Sequence, residues 1–544
     1  MADLVNITYN PATVNYKWNS AHGNASQVCA RLYYVVLPPS DTAPVLDVMA
    51  DTGTKLQAFL GQALATTPNP TRVHCVGNGW SLSTAAIVSR TASDVWILST
   101  ASMSLYWKMQ AAQIDPGYLG DATGALYLAQ GGMSIGQLNG YVEGDRQSLK
   151  TSGASDGQTI AGAISTSTHG SAFQYGSMPE FIVGIQLITG PTTNVWLERA
   201  SYPVVTAAFA TQLGAQLMRD DDLFNAALVS FGSFGIVAAM MVETVPIYLL
   251  QGQRKILALS DPFLQAMKTM DLSALDLQHP EQIPWHFEVT FLPGDLTPGS
   301  NPVRGNGYVQ TFYKSSYPAN GQYNPLTPSN GISPGASLLG TIGSLASFLG
   351  AEWFDKILQL GLPIYPDPKV VPPAPPAYGT SGETFTGGTT TQPGNAMSME
   401  MGIPADQSAA VLQLLLDALT GANYLGVISY RWVKQTSAML GWARFPLTAT
   451  IEFNAAFNSD TTAFYQSVWT ALTTAGIPYT LHWGQMNNFT PAIVRGMYGT
   501  AIDTWLACRN RLMSPAAQRV FSSDFLISTG LDISQNPPPT PPTP

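Results

Sequence analysis

An α+β architecture is expected for this chain of 544 residues. Short runs rich in β-branched and aromatic residues, such as RVHCVG and FIVGIQLIT, are bounded by glycine turns, which is how strands read. Between them lie helical stretches with apolar residues at helical spacing, the longest from 41 to about 66. Only 11% of residues are charged, against roughly 25% in an ordinary soluble domain. Hydrophobic residues make up 45%, ample for a core and incompatible with disorder of the whole chain. Glycine (49) and proline (40) interrupt nearly every window, which excludes a coiled coil or a helical repeat.

The length suits roughly two to four domains or one large two-part enzyme. Twenty-four basic residues stand against 34 acidic ones, net −10, with no basic run. A nucleic-acid partner is therefore not expected. The start, MADLVNITYN, has neither the basic nor the apolar region of a signal peptide. No apolar run reaches the ~18 residues of a membrane span; the nearest runs from Ser337 to Gly350. A cytoplasmic protein without a transmembrane segment is the expectation. Cys29, Cys75 and Cys508 fit neither a disulfide framework nor metal spacing and read as buried thiols. No His, Asp and Glu cluster has metal spacing, so no metal is expected.

Along the chain, residues 1 to about 40 alternate turns with β-type runs such as RLYYVVL. Asp41 and Thr42 are the expected caps of the helix PVLDVMADTGTKLQAFLGQAL. From Thr71 to Pro191 strands alternate with glycine turns: RVHCVG, SDVWILST, GALYLAQ, FIVGIQLIT. Around 220–242, DDDLFNAALVSFGSFGIVAAMMV reads as a helix running through a glycine turn into a strand. A second region follows, with strands WHFEVTFL and NGYVQTFY and a helix from Asp406 to Leu419. A Pro/Gly-rich insertion, about 317–394, favours extended and turn structure and reads as a lid or as disordered chain. Residues 535–544, nearly all Pro and Thr, read as a mobile tail.

Two segments carry ligand chemistry. Val76-Gly77-Asn78-Gly79-Trp80-Ser81-Leu82-Ser83 directly follows the strand RVHC. Its glycines permit a tight turn that presents consecutive N–H groups to an anion. It lacks the dinucleotide GxGxxG pattern followed by a helix, and an ordinary strand-to-loop turn is the other reading. The second segment runs from Gly153 through Ala154, Gly157, Thr159, Gly162, Ser165, Thr166 and Thr168 to His169, Gly170 and Ser171. Small side chains let a ligand approach the backbone, and hydroxyls supply hydrogen bonds without net charge. Ile160 and Ile164 argue against a flexible linker; His169 taken alone reads as structural.

Together these segments resemble the FAD-binding domain of the vanillyl-alcohol oxidase family, the PCMH-type flavoproteins. There the first turn wraps the pyrophosphate, and a segment like GxTIGGxxxTxTHGS lines the flavin and ADP. Gly131 to Asn139, GGMSIGQLN, is similar to the family's GGxxxxxLN strand and turn. Ser230 to Val237, SFGSFGIV, is similar to its SLGxLGIV element, which implies cofactor contacts at Gly235, Ile236 and Val237. Leu481-His482-Trp483-Gly484-Gln485 resembles the HWGK motif of the aldonolactone and alditol oxidase branch, and RNRLMSPAAQRVFSSDFL its final helix and tail. The resemblance covers about 70–240 and 425–530 and is absent over about 290–400. It implies an FAD-binding domain over 1–243 and a substrate-binding cap domain over 244–495, with an antiparallel sheet and flanking helices. It further implies a segment, 496–534, that returns to the FAD domain.

Many relatives carry a His before the Ser of the first motif, bonded to the flavin. Here that position is Trp80, and 153–171 contains no Cys, so noncovalent FAD is expected. The branch also places a Glu-x-Arg pair on one strand facing the flavin, since alternate strand residues share a face. On VISYRWV, Arg431 matches the Arg and Ser429 stands in place of the Glu. Arg431 would stabilise the substrate oxygen or the reduced flavin by fixed positive charge; an ion-paired Arg is the other reading. Glu452 and Asn454 share a face on the next strand, where Glu452 would serve as general base or would pair with Arg431. His482 is the second base candidate. Gln485 replaces the Lys of HWGK. Ser171, Ser429, Asn454 and Gln485 are the expected substrate contacts, a set less polar than a polyol needs. His286 and Glu288 read as packing. The apolar run ISPGASLLGTIGSLASFLGAEWF reads as part of a lid over a large or greasy substrate, or as a packing helix pair. The expected activity is oxidation of a CH–OH group of a small organic molecule with O2 as acceptor. A dehydrogenase with another acceptor and a degenerate flavin-binding protein are the alternatives.

Overall fold

The computed structural model describes residues 4–10, 15–21, 23–40, 42–66, 71–89, 94–121, 123–153, 156–325, 378–380, 396–456 and 458–532. Most of the expected insertion, the apolar run within it, the tail 535–544 and Ala154 lie outside the described residues.

Two hydrophobic cores organise the chain. The first gathers two sheets and the helix Val45–Leu64. That helix buries Leu56, Phe59, Leu60 and Ala63, one apolar stripe at helical spacing. It begins after Pro44, not at the expected Asp41 and Thr42. Proline pushes the residue before it out of the helical region, and the Thr42 hydroxyl instead donates to the Pro39 carbonyl at 2.8 Å. One sheet runs Asn6–Tyr9, Arg31–Val36, Val95–Ser99, Arg72–Val76, with the last three strands parallel. The other has six strands, with Ile182–Gly190 and Ile236–Glu243 at its centre. Both are buried along their whole length, which explains their unbroken apolar sequence.

The helix-turn-strand expected around 220–242 forms. Helix Asp221–Leu228 is capped by the Asp220 carboxylate, which accepts from the Leu223 N–H at 2.9 Å. The following turn uses left-handed φ at Phe231, Gly232 and Gly235. A Cβ at Gly235 would stand 2.4 Å from the Ile188 carbonyl oxygen, so only glycine fits. The GGMSIGQLN segment differs from the strand and turn expected of it. After a turn at Gly131 and Gly132, Ser134 opens the helix Ile135–Gly144. Its hydroxyl accepts from the Gln137 N–H and the Gln137 side chain returns the bond, a reciprocal cap that wins over strand propensity.

The second core lies beneath an eight-stranded antiparallel sheet. Its order is Tyr378–Gly379, Tyr248–Ala258, Asn306–Ser316, His286–Phe291, Gly426–Lys434, Leu447–Ala456, Ala396–Pro404, Thr480–Leu481. Alternation divides its faces. Phe287, Val289, Tyr430, Trp432, Ile451, Phe453, Met399 and Met401 pack on helices Asp261–Thr269, Ser408–Leu419 and Ser459–Thr474. The intervening residues, Glu288, Ser429, Arg431, Glu452, Asn454, Ser398 and Glu400, occupy the other face. The helix expected from Asp406 starts at Ser408, after one tight turn over Ala405–Gln407.

The C-terminal helices return to the first core through Tyr498, Ile502, Trp505, Leu512 and Phe525. The Trp505 indole N–H donates to the carbonyls of Ala226 and Val229. Arg509, 1% exposed, donates to the Ser233 and Gln518 carbonyls and pairs with Asp532 at 3.4 Å. Among the described residues no helix is long and apolar enough to cross a membrane. The three cysteines are free thiols, with Cys29 and Cys508 buried and Cys75 half-buried.

Candidate active site

A cleft of about 320 Å³ runs between the first core and the polar face of the eight-stranded sheet. One wall is built by the two small-residue segments. The turn after Arg72–Val76 brings Gly77 so close to the second segment that a Cβ would meet the Thr159 hydroxyl at 2.2 Å. Gly79 takes φ +71°, a conformation that favours glycine. The Asn78 amide donates to the Gly157 carbonyl at 2.7 Å and ties the segments together. The N–H groups of Gly77, Asn78, Gly79 and Ser81 donate to no acceptor among the described residues. Free N–H groups on a glycine turn form an anion-binding concavity. The turn is also sewn to the far end of the chain: the Leu82 N–H donates to the Gly484 carbonyl at 2.8 Å and the Ser83 hydroxyl to the Trp483 carbonyl at 2.7 Å.

Most of the residues expected at a cofactor line this wall: 76 to 82, Gly153, Thr159, Gly162, Ser165, Thr166, Thr168, His169, Gly235 and Val237. Three stand behind it. Gly157 makes room for the Trp80 ring, Gly170 packs on Thr151 and Ser152, and Ile236 points into the core. His74 and Cys75 also line the cleft; the sequence reading gave neither a site role and took Cys75 as a buried thiol, whereas it is half-buried at the cleft. Burial lowers the His74 imidazole to about 4 and pushes the Cys75 thiol up to about 12.

The opposite wall is a charged cluster centred on Arg431. Its Nε donates to Glu288 at 3.2 Å, Nη1 to Glu400 at 3.4 Å and Nη2 to Glu452 at 2.5 Å. Strand register puts these partners in place. Glu288 is the cross-strand neighbour of Arg431 on one side. Glu452 pairs in register with Ser429 on the other, and Glu400 pairs with Glu452 one strand further. Burial alone would raise the Glu288 and Glu400 carboxyls. Arg431 and His286 override it at Glu288, and His169 and Arg431 at Glu400, holding both down at about 2. Burial works against the Arg431 charge, but the three carboxylates outweigh it and push its pKa further up. Glu288, read from sequence as packing, thus belongs to the cluster. Glu400 was not singled out at all; its only sequence signal is a lone acidic residue in the run AMSMEMGIP.

His482 also lines the cleft. Its Nδ1 accepts from the Gly484 N–H at 3.0 Å, so its proton sits on Nε2. Burial lowers this imidazole to about 4, leaving it neutral at neutral pH. It is placed to donate a hydrogen bond, not to accept a proton. Gln485 donates to Glu400 at 3.4 Å and accepts from Ser398 at 3.0 Å. Asn454 lines the cleft beside Glu452. Ser429 and Ser171 do not line it; Ser429 bonds Thr290 at 3.0 Å, behind Arg431. His286 is buried next to Glu288 at 3.4 Å.

No family model matches the chain. It is similar to D-arabinono-1,4-lactone oxidase of Debaryomyces hansenii, 27% identical over 24% of this chain and 20% of that protein. L-gulonolactone oxidase 3 of Arabidopsis thaliana is 29% identical over 28% and 23%. L-gulono-1,4-lactone dehydrogenase of Mycobacterium tuberculosis is 25% identical over 44% of each. The chain therefore spans only about a fifth to less than half of these relatives' length. A solved structure, a solvent-stable cholesterol oxidase, superposes with a TM-score of 0.62 at 12% identity, over 97% of this chain and 98% of that one. The resemblance read from the motifs, to the PCMH-type family and its aldonolactone oxidase branch, agrees with both comparisons.

Proposed function

We propose that this protein is an FAD-dependent oxidoreductase that oxidises a CH–OH group of an organic substrate. The observation that carries this reading is the facing of two walls across one cleft: a turn of free N–H groups on one side and the Arg431 cluster on the other. The printed names of the relatives support it, being lactone oxidases, a lactone dehydrogenase and a cholesterol oxidase. We read the part around the first core as the cofactor domain and the eight-stranded sheet with its helices as the substrate cap.

The residues fit a flavin dinucleotide. The turn at 77–81 supplies N–H donors for the diphosphate, and at Gly77 a side chain is excluded by contact with Thr159. Among the described residues no Lys lines the cleft, and its one Arg is bound by three carboxylates on the opposite wall, so the anion would be held by backbone and hydroxyls. Bound there, the flavin would supply a two-electron acceptor for substrate hydride, with O2 as the final acceptor in an oxidase. Arg431 is locked by its three carboxylates into one orientation, a preorganised positive group beside the reacting carbon. His482 Nε2–H would hold the substrate oxygen, and the Asn454 amide would orient neighbouring polar groups. Attachment is noncovalent in this reading, because the indole of Trp80 has no ring nitrogen suited to that bond.

Purified protein should carry flavin absorbance, and a screen over lactones, polyols, sterols and aromatic alcohols should find a substrate that bleaches it anaerobically. A colourless protein that takes up no FAD would overturn the reading. Admission of air then separates oxidase from dehydrogenase: fast reoxidation with peroxide marks the oxidase we favour.

A further inference from the structure

We propose that the substrate of this cleft is an alcohol that also carries an ammonium group, and that Glu452 and Asn454 are the residues that select it. The inference rests on the oxidoreductase reading above and names the substrate class of that same site.

Hydrogen bonding gives the first observation. Asn454 is 8% exposed and lines the cleft, yet its side-chain amide has no partner among the described residues. Buried amides are almost always paired, so this one is left for a ligand. Glu452 precedes it by two on the strand Leu447–Ala456, and both side chains project from one face of the sheet. One Glu452 oxygen is taken by Arg431 Nη2 at 2.5 Å. The other has the Ser398 hydroxyl at 3.4 Å. That hydroxyl lies closer to the Gln485 amide oxygen, at 3.0 Å, and it owns a single hydrogen. With the hydrogen on Gln485, Glu452 Oε1 keeps its lone pairs. A carboxylate oxygen and an amide oxygen thus stand on one face at the cleft without a donor between them.

Charge gives the second. Arg431 meets three carboxylates, Glu288, Glu400 and Glu452. Burial lowers both His286 and His482, so neither adds a positive charge at neutral pH. Even with His169 charged against Glu400, one negative charge stays in excess. Glu452 is where that excess meets the cleft, its side chain 16% exposed against 5% for Glu288 and 2% for Glu400. Low-dielectric walls focus such a field on what enters. An ammonium offers three donors and no acceptor, which matches two open acceptors and the unmet charge together. A hydroxyl would serve one acceptor with its single hydrogen and leave the charge unmet. A carboxylate would be repelled.

The test uses the whole chain with flavin bound and three alcohols of matched length: 3-amino-1,2-propanediol, glycerol and glycerate. Calorimetry at neutral pH and low salt should rank them in that order, with the amine roughly 10-fold tighter than glycerol and glycerate weakest. Glu452→Gln keeps an oxygen for Arg431 and should cut the ratio of amine to glycerol affinity about 10-fold. Asn454→Ala should weaken the amine severalfold. The wild-type order decides even where a variant does not fold. Equal affinities, tighter binding of glycerol or glycerate, or no binding of the amine would overturn the proposal. Such a result leaves intact the flavin absorbance and its bleaching by an alcohol from the screen. Failure of the oxidoreductase reading removes that bleaching whatever the order of binding, so the two failures are distinguishable.

Discussion

Ser429 and Glu452 are register partners on adjacent antiparallel strands, and Glu452 reaches back to Arg431 at 2.5 Å. A carboxylate absent from the arginine's own strand is thus provided from the neighbouring one.

Arg431 should be sensitive to shape as well as charge. Arg431→Lys keeps one positive charge but cannot serve three carboxylates from a planar fork. Flavin should stay bound while its reduction by substrate slows, by roughly 10- to 100-fold. Arg431→Ala would leave Glu288, Glu400 and Glu452 without their shared partner and should cost about 3–5 kcal/mol of stability. Chemical unfolding reads the second effect and stopped-flow the first.

Acid should destabilise the fold in two stages. His74 and His482 are held at about 4, below the ordinary 6.5, so the unfolded chain binds protons first as pH falls. Their contribution is whole above 6.5 and is lost between about 6.5 and 4, on the order of 3 kcal/mol each. Glu288 and Glu400, held at about 2, add stability that is whole above 4.5 and lost between about 4.5 and 2. Unfolding midpoints taken at pH 7, 5.5 and 4.5 should fall in order, and His482→Gln should flatten the first stage. A midpoint that holds steady down to pH 4.5 would contradict these assignments.

The contact of Gly77 with Thr159 predicts a binding defect without a folding defect. In Gly77→Ala the new methyl would collide at 2.2 Å with the Thr159 hydroxyl and displace the turn. Flavin content should drop severalfold. Gly140→Ala, on a helix position with open space around it, is the control and should keep full flavin content.

Noncovalent attachment predicts that acid precipitation leaves the yellow colour in the supernatant. The Cys75 thiol, pushed up to about 12, stays protonated and unreactive at the cleft wall. A yellow pellet would show a covalent link and point to His74 or Cys75 as its origin.

The small-residue wall of the cleft was legible in sequence because it is local. Its glycines, hydroxyls and caps lie within two contiguous segments, and a turn's chemistry is written in its own residues. The helix at Ile135–Gly144 was legible too, through Ser134 and Gln137, but the likeness to a strand motif displaced that signal. The opposite wall was only half legible. Arg431, Glu452 and His482 stood out as rare polar residues among apolar neighbours. Glu400 and Glu288 did not, because their roles depend on which strands lie side by side. That order, with Ala396–Pro404 beyond Leu447–Ala456, follows from long-range pairing that no local pattern records. The base roles expected of Glu452 and His482 depended on hydrogen bonds that only the fold reveals.

The seam joining Leu82 and Ser83 to Trp483 and Gly484 sets a timetable for biosynthesis. A ribosome must extend the chain some 400 residues past the first glycine turn before its fastening residues exist. The N-terminal part leaves the exit tunnel with its N–H groups bared and that seam open. Closure of the first glycine turn is therefore a late event, and a chain cut short before Trp483 would emerge without the clasp that closes it.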